Sequence, residues 1–396
     1  MNLLPLGLNI QGRRAVVVGG GPVAARRVAA LLAAGAEVVV VAPFACEDIA
    51  DAAAAARLTW LVRDYAAGDL EDAWLAFSAT GSPQVDARVA ADADAARVWC
   101  AKGGDSRNSR VWTPAVAEAD GVQISVNAGG DPRRAVAIRN AVASQLDSGE
   151  LPLRRHRRSG QPGSVALVGG GPGDAGLITT RGRRLLAQAD VVVADRLGPR
   201  GLLDELAPEV QIIEVGKTPG HHPVPQHEIN RILVEQALLG NRVVRLKGGD
   251  PYVLGRGGEE ADHCRAHGVP VEIVPGVTSA VSVPAAAGIP VTHRGVAKSF
   301  SVLTGHEEIG TVPPGTDHTV VLLMGVSRLR DTAAALLAAG RPADCPVGIV
   351  EDGYGPGQRV TTGTLVTIAA KAEAVGVKSP AVIVVGDVVR LSPHYE

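Results

Sequence analysis

Short runs of β-branched residues alternate along this chain with Ala-rich stretches. Continuous apolar runs of this kind are typical of strands that are buried on both faces of a parallel sheet. Because the Ala-rich stretches between them have helical composition, the alternation predicts a doubly wound α/β fold, which binds ligands at the carboxyl ends of its strands. In the first 150 residues the predicted strands are 15–18, 37–41, 74–79, 98–100 and 123–126.

The same alternation begins again after an arginine-rich segment. Residues 154–163 read RRHRRSGQPG, a composition typical of a linker. We interpret its arginines as a solvated tether, with a basic rim facing an acidic ligand as the alternative. Beyond it the pattern restarts near Gly288, which predicts two α/β lobes with a cleft between them. Their predicted strands are 165–168, 191–193, 211–215, 243–246, 271–274, 299–304, 319–324, 347–351 and 381–385.

The first predicted strand leads into a glycine-rich turn. Gly19, Gly21 and Ala24 satisfy G-x-G-x-x-A, where small residues let the backbone approach a pyrophosphate at a helix N-terminus. A tight turn without a ligand is the alternative. NAD is favoured over NADP because no arginine stands at 43–44, and Glu47 and Asp48 are candidates for the ribose-binding acid. The expected NAD-binding residues are Gly19, Gly21, Pro22, Val23, Pro43 and Phe44.

A second glycine-rich turn, GGGPGD at 169–174, is built differently. Its Pro172 removes an N–H group where a phosphate-binding loop needs a donor, although a rigid turn can still form a wall for an uncharged adenosyl group. Further unusual segments lie downstream of it. They are VVADRL at 192–197, VGK at 215–217, VVRLKGGDPYV at 243–253, VPGVTSA at 274–280 and GIPVTHR at 288–294.

Taken in order over 164–390, these motifs resemble those of the tetrapyrrole methyltransferases, and among them the uroporphyrinogen-III C-methyltransferases. The resemblance implies S-adenosylmethionine (SAM) in the cleft and two C-methylations of uroporphyrinogen III to precorrin-2. It implies Asp195 as proton acceptor and Lys217 as proton donor. Because that substrate carries eight carboxylates and the chain has a net charge of −2, we take Arg294 as a candidate ligand of the carboxylates. A helix-start pair of Asp195 with Arg196, and a solvated lysine, are the alternative. The implied SAM-binding residues are Pro172, Gly248, Gly249, Asp250, Val253, Thr278, Ser279, Met324 and Gly353.

The first 150 residues resemble the precorrin-2 dehydrogenase/ferrochelatase module, and the order of modules is that of the bifunctional sirohaem synthases. This implies NAD-dependent oxidation of precorrin-2 to sirohydrochlorin. The acidic residue that this family uses falls on Gly104, with Asp105 one residue later, and an expected serine is Ala128. We therefore take Asp105 as the candidate catalytic acid and expect weak or absent iron insertion. A catalytically inactive NAD-binding scaffold or sensor is the alternative for this module.

The resemblance also predicts the domain organisation. Residues 1–113 are expected to form the NAD-binding Rossmann-like domain, and 114–153 a shortened dimerisation extension, which implies a homodimer. The basic linker follows at 154–163. The two lobes of the tetrapyrrole methylase domain are then 164–288 and 289–396.

Composition and charge limit the classes of binding partner that the sequence predicts. The net charge of −2 gives no general case for nucleic acid or membrane binding, and no apolar run reaches the ~18 residues of a membrane span. Four scattered cysteines without zinc-site spacing, and no signal peptide, predict no metal and a reduced cytoplasm. His221, His222 and His227 stand among prolines, so we interpret them as part of a lid loop rather than a metal site.

Overall fold

The computed structural model describes residues 3–104, 109–119, 121–151, 162–195, 198–216, 224–305 and 312–395. Asp105, Lys217, His221, His222 and most of the linker lie outside these residues. The chain divides into two compact units, Met1–Ala143 and Ser144–Glu396, whereas the finer domain boundaries stay predictions. Across the described part of the chain, no helix is both long and apolar enough to cross a membrane.

The first unit is built on a parallel sheet with strand order β3-β2-β1-β4-β5. This confirms the predicted Rossmann-like alternation, with α1 and α2 flanking β2 and α3 joining β4 to β5. The three-residue strand β3 was not predicted, because its Thr-Trp-Leu run is too short to show a pattern. The elements are β1 (Arg14–Val18), α1 (Pro22–Ala33), β2 (Glu37–Val41), α2 (Glu47–Ala54), β3 (Thr59–Leu61), β4 (Leu75–Ser78), α3 (Pro83–Ala96) and β5 (Trp99–Lys102).

A hairpin and a long helix follow this sheet. Strands β6 (Ala115–Ala119) and β7 (Val122–Val126) pair only with each other and antiparallel, and α4 (Pro132–Ser148) comes after them. The prediction that 123–126 joins the parallel sheet was therefore wrong. Residues of β6 alternate between exposed and partly buried, which is the pattern of a two-stranded hairpin with one solvated face.

The second unit begins with another parallel sheet, of order β10-β9-β11-β8-β12. All five strands lie where the apolar runs predict them, and helices cover both faces. The elements are β8 (Ser164–Gly169), α5 (Thr180–Ala187), β9 (Val191–Ala194), α6 (Arg200–Asp204), β10 (Gln211–Glu214), α7 (Gln226–Leu238), β11 (Arg242–Lys247), α8 (Gly257–Ala266), β12 (Val271–Val274) and α9 (Ser279–Ala286).

The last sheet has the order β13-β14-β17-β15-β16 and is mixed. Only β13 and β14 are parallel, whereas β17 and β15 pair antiparallel with their neighbours. The sequence Arg-Val-Thr-Thr-Gly-Thr of β16 did not predict a strand, because an edge strand can be polar. The elements are β13 (Ser299–Thr304), β14 (His318–Leu323), α10 (Leu329–Ala338), β15 (Pro346–Glu351), β16 (Arg359–Thr364), α11 (Ile368–Val375) and β17 (Ala381–Val385).

Three glycines bring the ends of β8, β11 and β12 into backbone contact. A Cβ on Gly169 would lie 2.5 Å from Gly276 Cα, and a Cβ on Gly276 would lie 2.2 Å from Gly249 O. Real Cβ atoms do not approach backbone this closely, so the three turns pack only because these side chains are absent. The contact fixes the carboxyl edge of this sheet.

Gly276→Ala is expected to lower the midpoint of the thermal transition of the second unit by several degrees. The added methyl group must displace backbone, and overpacking of this kind costs about 1–3 kcal/mol. Calorimetry measures the shift. The matched control is Gly258→Ala in α8, where a Cβ meets nothing within 4 Å and the midpoint should hold or rise slightly. Equal effects of the two substitutions would contradict the close contact.

Candidate functional site

The glycine turn after β1 contains two kinds of glycine. A Cβ on Gly19 would lie 2.3 Å from Ala79 O, and one on Gly20 would lie 1.9 Å from Phe44 O, so both are required by packing. A Cβ on Gly21 meets nothing within 4 Å. Gly21 also caps α1 without a side chain, which leaves the first turn of this helix open. A missing Cβ before an open helix N-terminus suits a close-approaching phosphate.

The neighbours of this turn expose apolar surface. Pro22 is the first residue of α1, and Val23 is 46% exposed beside it. Pro43 and Phe44 follow β2, and Phe44 is 73% exposed although it is a large aromatic residue. The predicted NAD residues thus lie on two loops at the same carboxyl edge of the sheet, where flat apolar surface suits a nucleotide base. Their contacts to NAD stay predictions.

A buried carboxylate braces the loop beside Gly19, and the sequence analysis missed it. Asp86 in the first turn of α3 is 5% exposed, and its Oδ1 accepts hydrogen bonds from the Ser78 and Thr80 hydroxyls and from Thr80 N. This holds the Ser78–Thr80 loop against the glycine turn. The available signal was an acid three residues after a Ser-Pro helix start.

The loop after β5 carries the departure from the family pattern. Gly104 is exposed with φ +73° and free space around its Cβ position, whereas Asp105 lies outside the described residues. Glu47 and Asp48, the candidate ribose acids, are exposed in the first turn of α2, where the helix dipole favours negative charge. The structure therefore places an acid near the end of β2 and leaves the end of β5 without one among its described residues.

In the second unit the two predicted SAM loops are hydrogen-bonded to each other. Gly171 and Gly249 form an antiparallel bridge, with Gly249 N donating to Gly171 O at 2.6 Å and Gly171 N donating to Gly249 O at 3.2 Å. Gly249 has φ +65°, and Pro172 follows directly on the first loop. The glycine turn after β8 and the Gly248-Gly249 turn after β11 thus form one continuous wall.

Asp250 holds this wall together. Its Oδ1 accepts from Tyr252 N at 2.8 Å, and its Oδ2 accepts from Gly276 N at 3.0 Å. Val253 N donates back to Asp250 O at 3.4 Å and closes the turn. Each carboxylate oxygen retains a lone pair, so a ribose hydroxyl remains a possible partner, but the structure gives Asp250 a loop-joining role that the sequence did not predict.

Helix α9 connects this wall to the last sheet. Thr278 caps it, with Oγ1 accepting from Ala280 N at 3.3 Å, and Ser279 Oγ would be 3.3 Å from a Cβ on Gly249. Further along α9, Val283 would be 2.8 Å from a Cβ on Gly353. Residues predicted for SAM from 249, 278–279 and 353 are therefore brought together by one helix.

The other predicted residues lie at the ends of the same sheets. Met324 follows β14 with φ +57° and is half exposed, an unusual backbone conformation for a long side chain. Arg294 is exposed in the turn that His293 and Ala297 close, and no described residue pairs with it. Lys217 lies outside the described residues, next to Gly216.

Asp195 directly follows β9 and faces Arg245 on β11, the strand that pairs with β9 in the sheet. Its Oδ1 accepts from Arg245 Nη2 at 2.7 Å, and 29% of its side chain is exposed. The alternative partner Arg196 lies outside the described residues. Beneath this pair, burial and the neighbouring Arg245 lower the pKa of Lys247, although Glu260 and Asp195 oppose the shift. Asp195 is thus a partly exposed carboxylate at a strand end, where the sequence predicts the proton acceptor.

No group of three His, Cys, Asp or Glu side chains in the described part of the chain could hold a metal ion. His227 is exposed at the start of α7, and Cys100, Cys264 and Cys345 are buried. Burial raises the pKa of the Cys100 and Cys264 thiols to about 11, so neither is an ionised nucleophile near neutral pH.

Comparison with known proteins identifies both units. The family of Tetrapyrrole (Corrin/Porphyrin) Methylases matches residues 164–369, and a family described as "Putative NAD(P)-binding" matches 6–115. A siroheme synthase of Azotobacter vinelandii is 36% identical over 450 aligned residues, covering 99% of this chain and 97% of the relative. Since this chain has only 396 residues, that relative carries segments that this chain lacks.

Two further proteins resemble the second unit alone. An S-adenosyl-L-methionine-dependent uroporphyrinogen III methyltransferase of Methanosarcina barkeri is 48% identical, covering 59% of this chain and 94% of the relative. The crystal structure of a cobalt precorrin-4 methyltransferase matches with a TM-score of 0.50 and 28% identity, covering 58% of this chain and 96% of that one. The chain therefore belongs to the tetrapyrrole methylase family, with an NAD(P)-binding type module in front of the methylase domain.

Proposed function

We propose that this protein is a bifunctional enzyme of tetrapyrrole biosynthesis. Its second unit transfers methyl groups from SAM to two carbons of uroporphyrinogen III and forms precorrin-2. Its first unit oxidises precorrin-2 to sirohydrochlorin with NAD. The observation that carries the proposal is the full-length similarity to siroheme synthase, together with an open glycine turn at the carboxyl edge of each parallel sheet.

The residues at the second glycine wall fit SAM. The bridge between Gly171 and Gly249 presents backbone without side chains, Asp250 retains acceptor capacity for a ribose hydroxyl, and Thr278 and Ser279 offer hydroxyl groups. SAM supplies an electrophilic methyl group when it is bound. The contribution of the protein is to hold the pyrrole carbon in line with it, which can lower the barrier by several kcal/mol.

Asp195 is the proposed proton acceptor in the methylation of the pyrrole ring. A pyrrole carbon that takes a methyl group from a sulfonium leaves the ring positively charged, so the macrocycle must lose a proton. A partly exposed carboxylate at a strand end can accept that proton. Lys217 is the proposed donor, and Arg294 is the proposed ligand of substrate carboxylates. Uroporphyrinogen III carries eight carboxylates, so a chain of net charge −2 must place its cations locally.

The first unit fits NAD at the turn around Gly21, with Val23 and Phe44 as exposed apolar neighbours. NAD accepts a hydride when it is bound, and the protein needs chiefly to hold cofactor and precorrin-2 in register. A catalytically inactive scaffold is the second candidate for this unit, because Gly104 and Ala128 stand where the resemblance implies an acid and a serine.

We further propose a cytoplasmic homodimer that forms through the first unit. The hairpin and α4 expose aliphatic side chains on more than one face, and a second copy of the chain would cover part of this apolar surface. Four of these residues are about 40–46% exposed and lie on consecutive elements: Val116, Val122, Val136 and Ile138. Analytical ultracentrifugation of the whole chain tests this assembly, and a monomer at micromolar concentration would refute it.

An anaerobic assay tests the two activities together. Protein, SAM and uroporphyrinogen III should give the absorbance of precorrin-2, and addition of NAD should convert it to sirohydrochlorin. Methylation without an NAD-dependent step would leave the second unit as the only enzyme and favour the scaffold. No methylation would refute the proposed function itself.

Asp195→Ala is expected to lower methylation about 10²–10⁴-fold while SAM binding and the fold are retained. Its carboxylate is 29% exposed at a strand end, and its partner Arg245 keeps the hydrogen bonds to Glu260, Val193 O and Leu246 O. Single-turnover transfer of labelled methyl groups measures the rate, and calorimetry measures SAM binding. A rate equal to that of the natural sequence would remove Asp195 from the chemistry.

Gly249→Val is expected to abolish SAM binding. Valine strongly disfavours φ +65°, and its Cβ would lie 3.3 Å from Ser279 Oγ inside the glycine wall. Gly268→Val is the control, since Gly268 has φ +71° with free space and lies in the turn before β12, at the opposite edge of the sheet. Calorimetric titration with SAM should separate the two, and normal affinity in Gly249→Val would contradict the predicted site.

Iron insertion into sirohydrochlorin is expected to be weak or absent, although NAD-dependent oxidation proceeds. Insertion needs a base to remove pyrrole N–H protons, and the candidate has moved from position 104 to Asp105. After the end of a strand, a one-residue shift can turn a side chain to the opposite face. The measurement is sirohaem formation from sirohydrochlorin and Fe²⁺ above the rate without protein. Rapid insertion that Asp105→Ala abolishes would show that the loop compensates.

A further inference from the structure

A buried network of ionised side chains lies directly behind Asp195, and the proposed function does not use it. Arg245 and Lys247 alternate with Leu246 on β11, so they face the same side of the sheet. Both donate to Glu260 Oε1, from Nε and Nζ respectively, at 3.1 Å. Glu260 on α8 is 0% exposed, and Gln226 on α7 donates to the same oxygen at 3.1 Å.

Arg245 connects this network to Asp195. Besides its bonds to Glu260 and Asp195, its Nη1 donates to Val193 O at 3.3 Å and to Leu246 O at 3.2 Å. All three guanidinium nitrogens are therefore held by fixed partners, and the side chain has one available geometry. Asp195 uses Oδ1 in this contact, whereas its Oδ2 accepts no hydrogen bond from any residue that the structure describes.

We propose that Arg245, held by Glu260, is a positioning residue for the proton acceptor of the methylation. The guanidinium fixes Oδ1 of Asp195, so that Oδ2 is presented to the substrate to take the pyrrole proton. This inference rests on the proposed function, and it adds to it the two residues that determine where the proton-accepting oxygen lies.

The charges in the network support this assignment. Two cations, Arg245 and Lys247, balance two anions, Glu260 and Asp195, with almost no exposure except at Asp195. Two further ion pairs at α8, Arg256 with Glu259 at 2.7 Å and Arg265 with Asp262 at 3.0 Å, are both exposed and lie outside this network. The only member of the network that reaches solvent is thus the one proposed to exchange a proton.

A double-mutant cycle tests the proposal. When one residue acts through another, the effects of substituting the two are not additive. Arg245→Gln is expected to lower kcat for methylation about 10–100-fold, with KM for uroporphyrinogen III and Kd for SAM changed less than about threefold. In an Asp195→Ala background the same substitution is expected to change the rate less than about twofold. Single-turnover transfer of labelled methyl groups from SAM resolves both rates.

Arg242→Gln is the matched control. Arg242 lies on the same strand as Arg245 but at its opposite end. Its Nε donates to Oδ2 of Asp190, the residue directly before β9, at 3.1 Å. Its effect on the rate should be small and should multiply with that of Asp195→Ala. Glu260→Gln, which keeps shape and an acceptor oxygen, is a second route to the same cycle and should behave like Arg245→Gln.

The positioning role would be overturned if Arg245→Gln and Glu260→Gln each lowered the methylation rate by the same factor in the Asp195→Ala background as in the natural sequence. Loss of SAM binding in both variants would overturn it as well, since the pair would then serve the fold. If only one of the two variants retains SAM binding, the double-mutant cycle of that variant with Asp195→Ala tests the positioning role. A full rate in Asp195→Ala would remove Asp195 from the chemistry and overturn the positioning role with it. No methylation by the natural sequence would instead refute the proposed function, so the two failures are distinguishable.

Discussion

The second unit depends on one packing constraint: three strand ends touch through backbone alone. Gly169, Gly249 and Gly276 come from β8, β11 and β12, and any side chain on Gly169 or Gly276 would occupy space already filled by backbone. Parallel strands align their carboxyl ends at one edge, so this contact fixes the edge where ligands bind. The bridge to Gly171 and the carboxylate of Asp250 then extend the contact into a continuous wall.

The first unit also contains glycines that pack against neighbouring backbone, but one glycine of its turn has free space around it. Gly19 and Gly20 are also required by packing against neighbouring backbone, but Gly21 has free space where its side chain would be. The distinction matters because a G-x-G-x-x-A pattern alone does not tell a tight turn from a ligand site. Only the third glycine of the run has no intramolecular reason to lack a side chain, and it lies at the open end of α1.

Most of the fold could be predicted from sequence because its strands are short, apolar and buried on both faces. The runs at β1, β2, β8, β9 and β11 each gave a strand close to the predicted bounds. The misses have a common physical cause, since β3, β6 and β16 are edge or hairpin strands with polar or mixed residues. Such strands are stabilised by pairing that local sequence does not display.

The candidate ligand loops could be proposed from the sequence, whereas the interactions that hold these loops in place could not. The residues at 249, 278–279 and 353 could be proposed from motifs, but their common support by α9 appears only in three dimensions. The role of Glu260 was missed for the same reason, because its carboxylate accepts from Gln226 and Arg245 on other elements. Asp86 differs, since its partners Ser78 and Thr80 lie only six to eight residues before it. A visible signal did exist in β11, where Arg245 and Lys247 interrupt an apolar strand.

That interruption requires a physical explanation. Removing one partner of a buried ion pair typically costs about 3–5 kcal/mol, yet replacing a whole buried pair with apolar residues is often neutral or stabilising. Stability alone therefore gives no reason for Arg245 and Glu260 to be charged and buried, since the other core residues of β11 are Val243, Val244 and Leu246. An ion network is justified where a specific orientation is needed, and here its exposed end is Asp195. The buried charges thus end at one partly exposed carboxylate, at the carboxyl edge of the sheet where the turns after β8 and β11 are bridged.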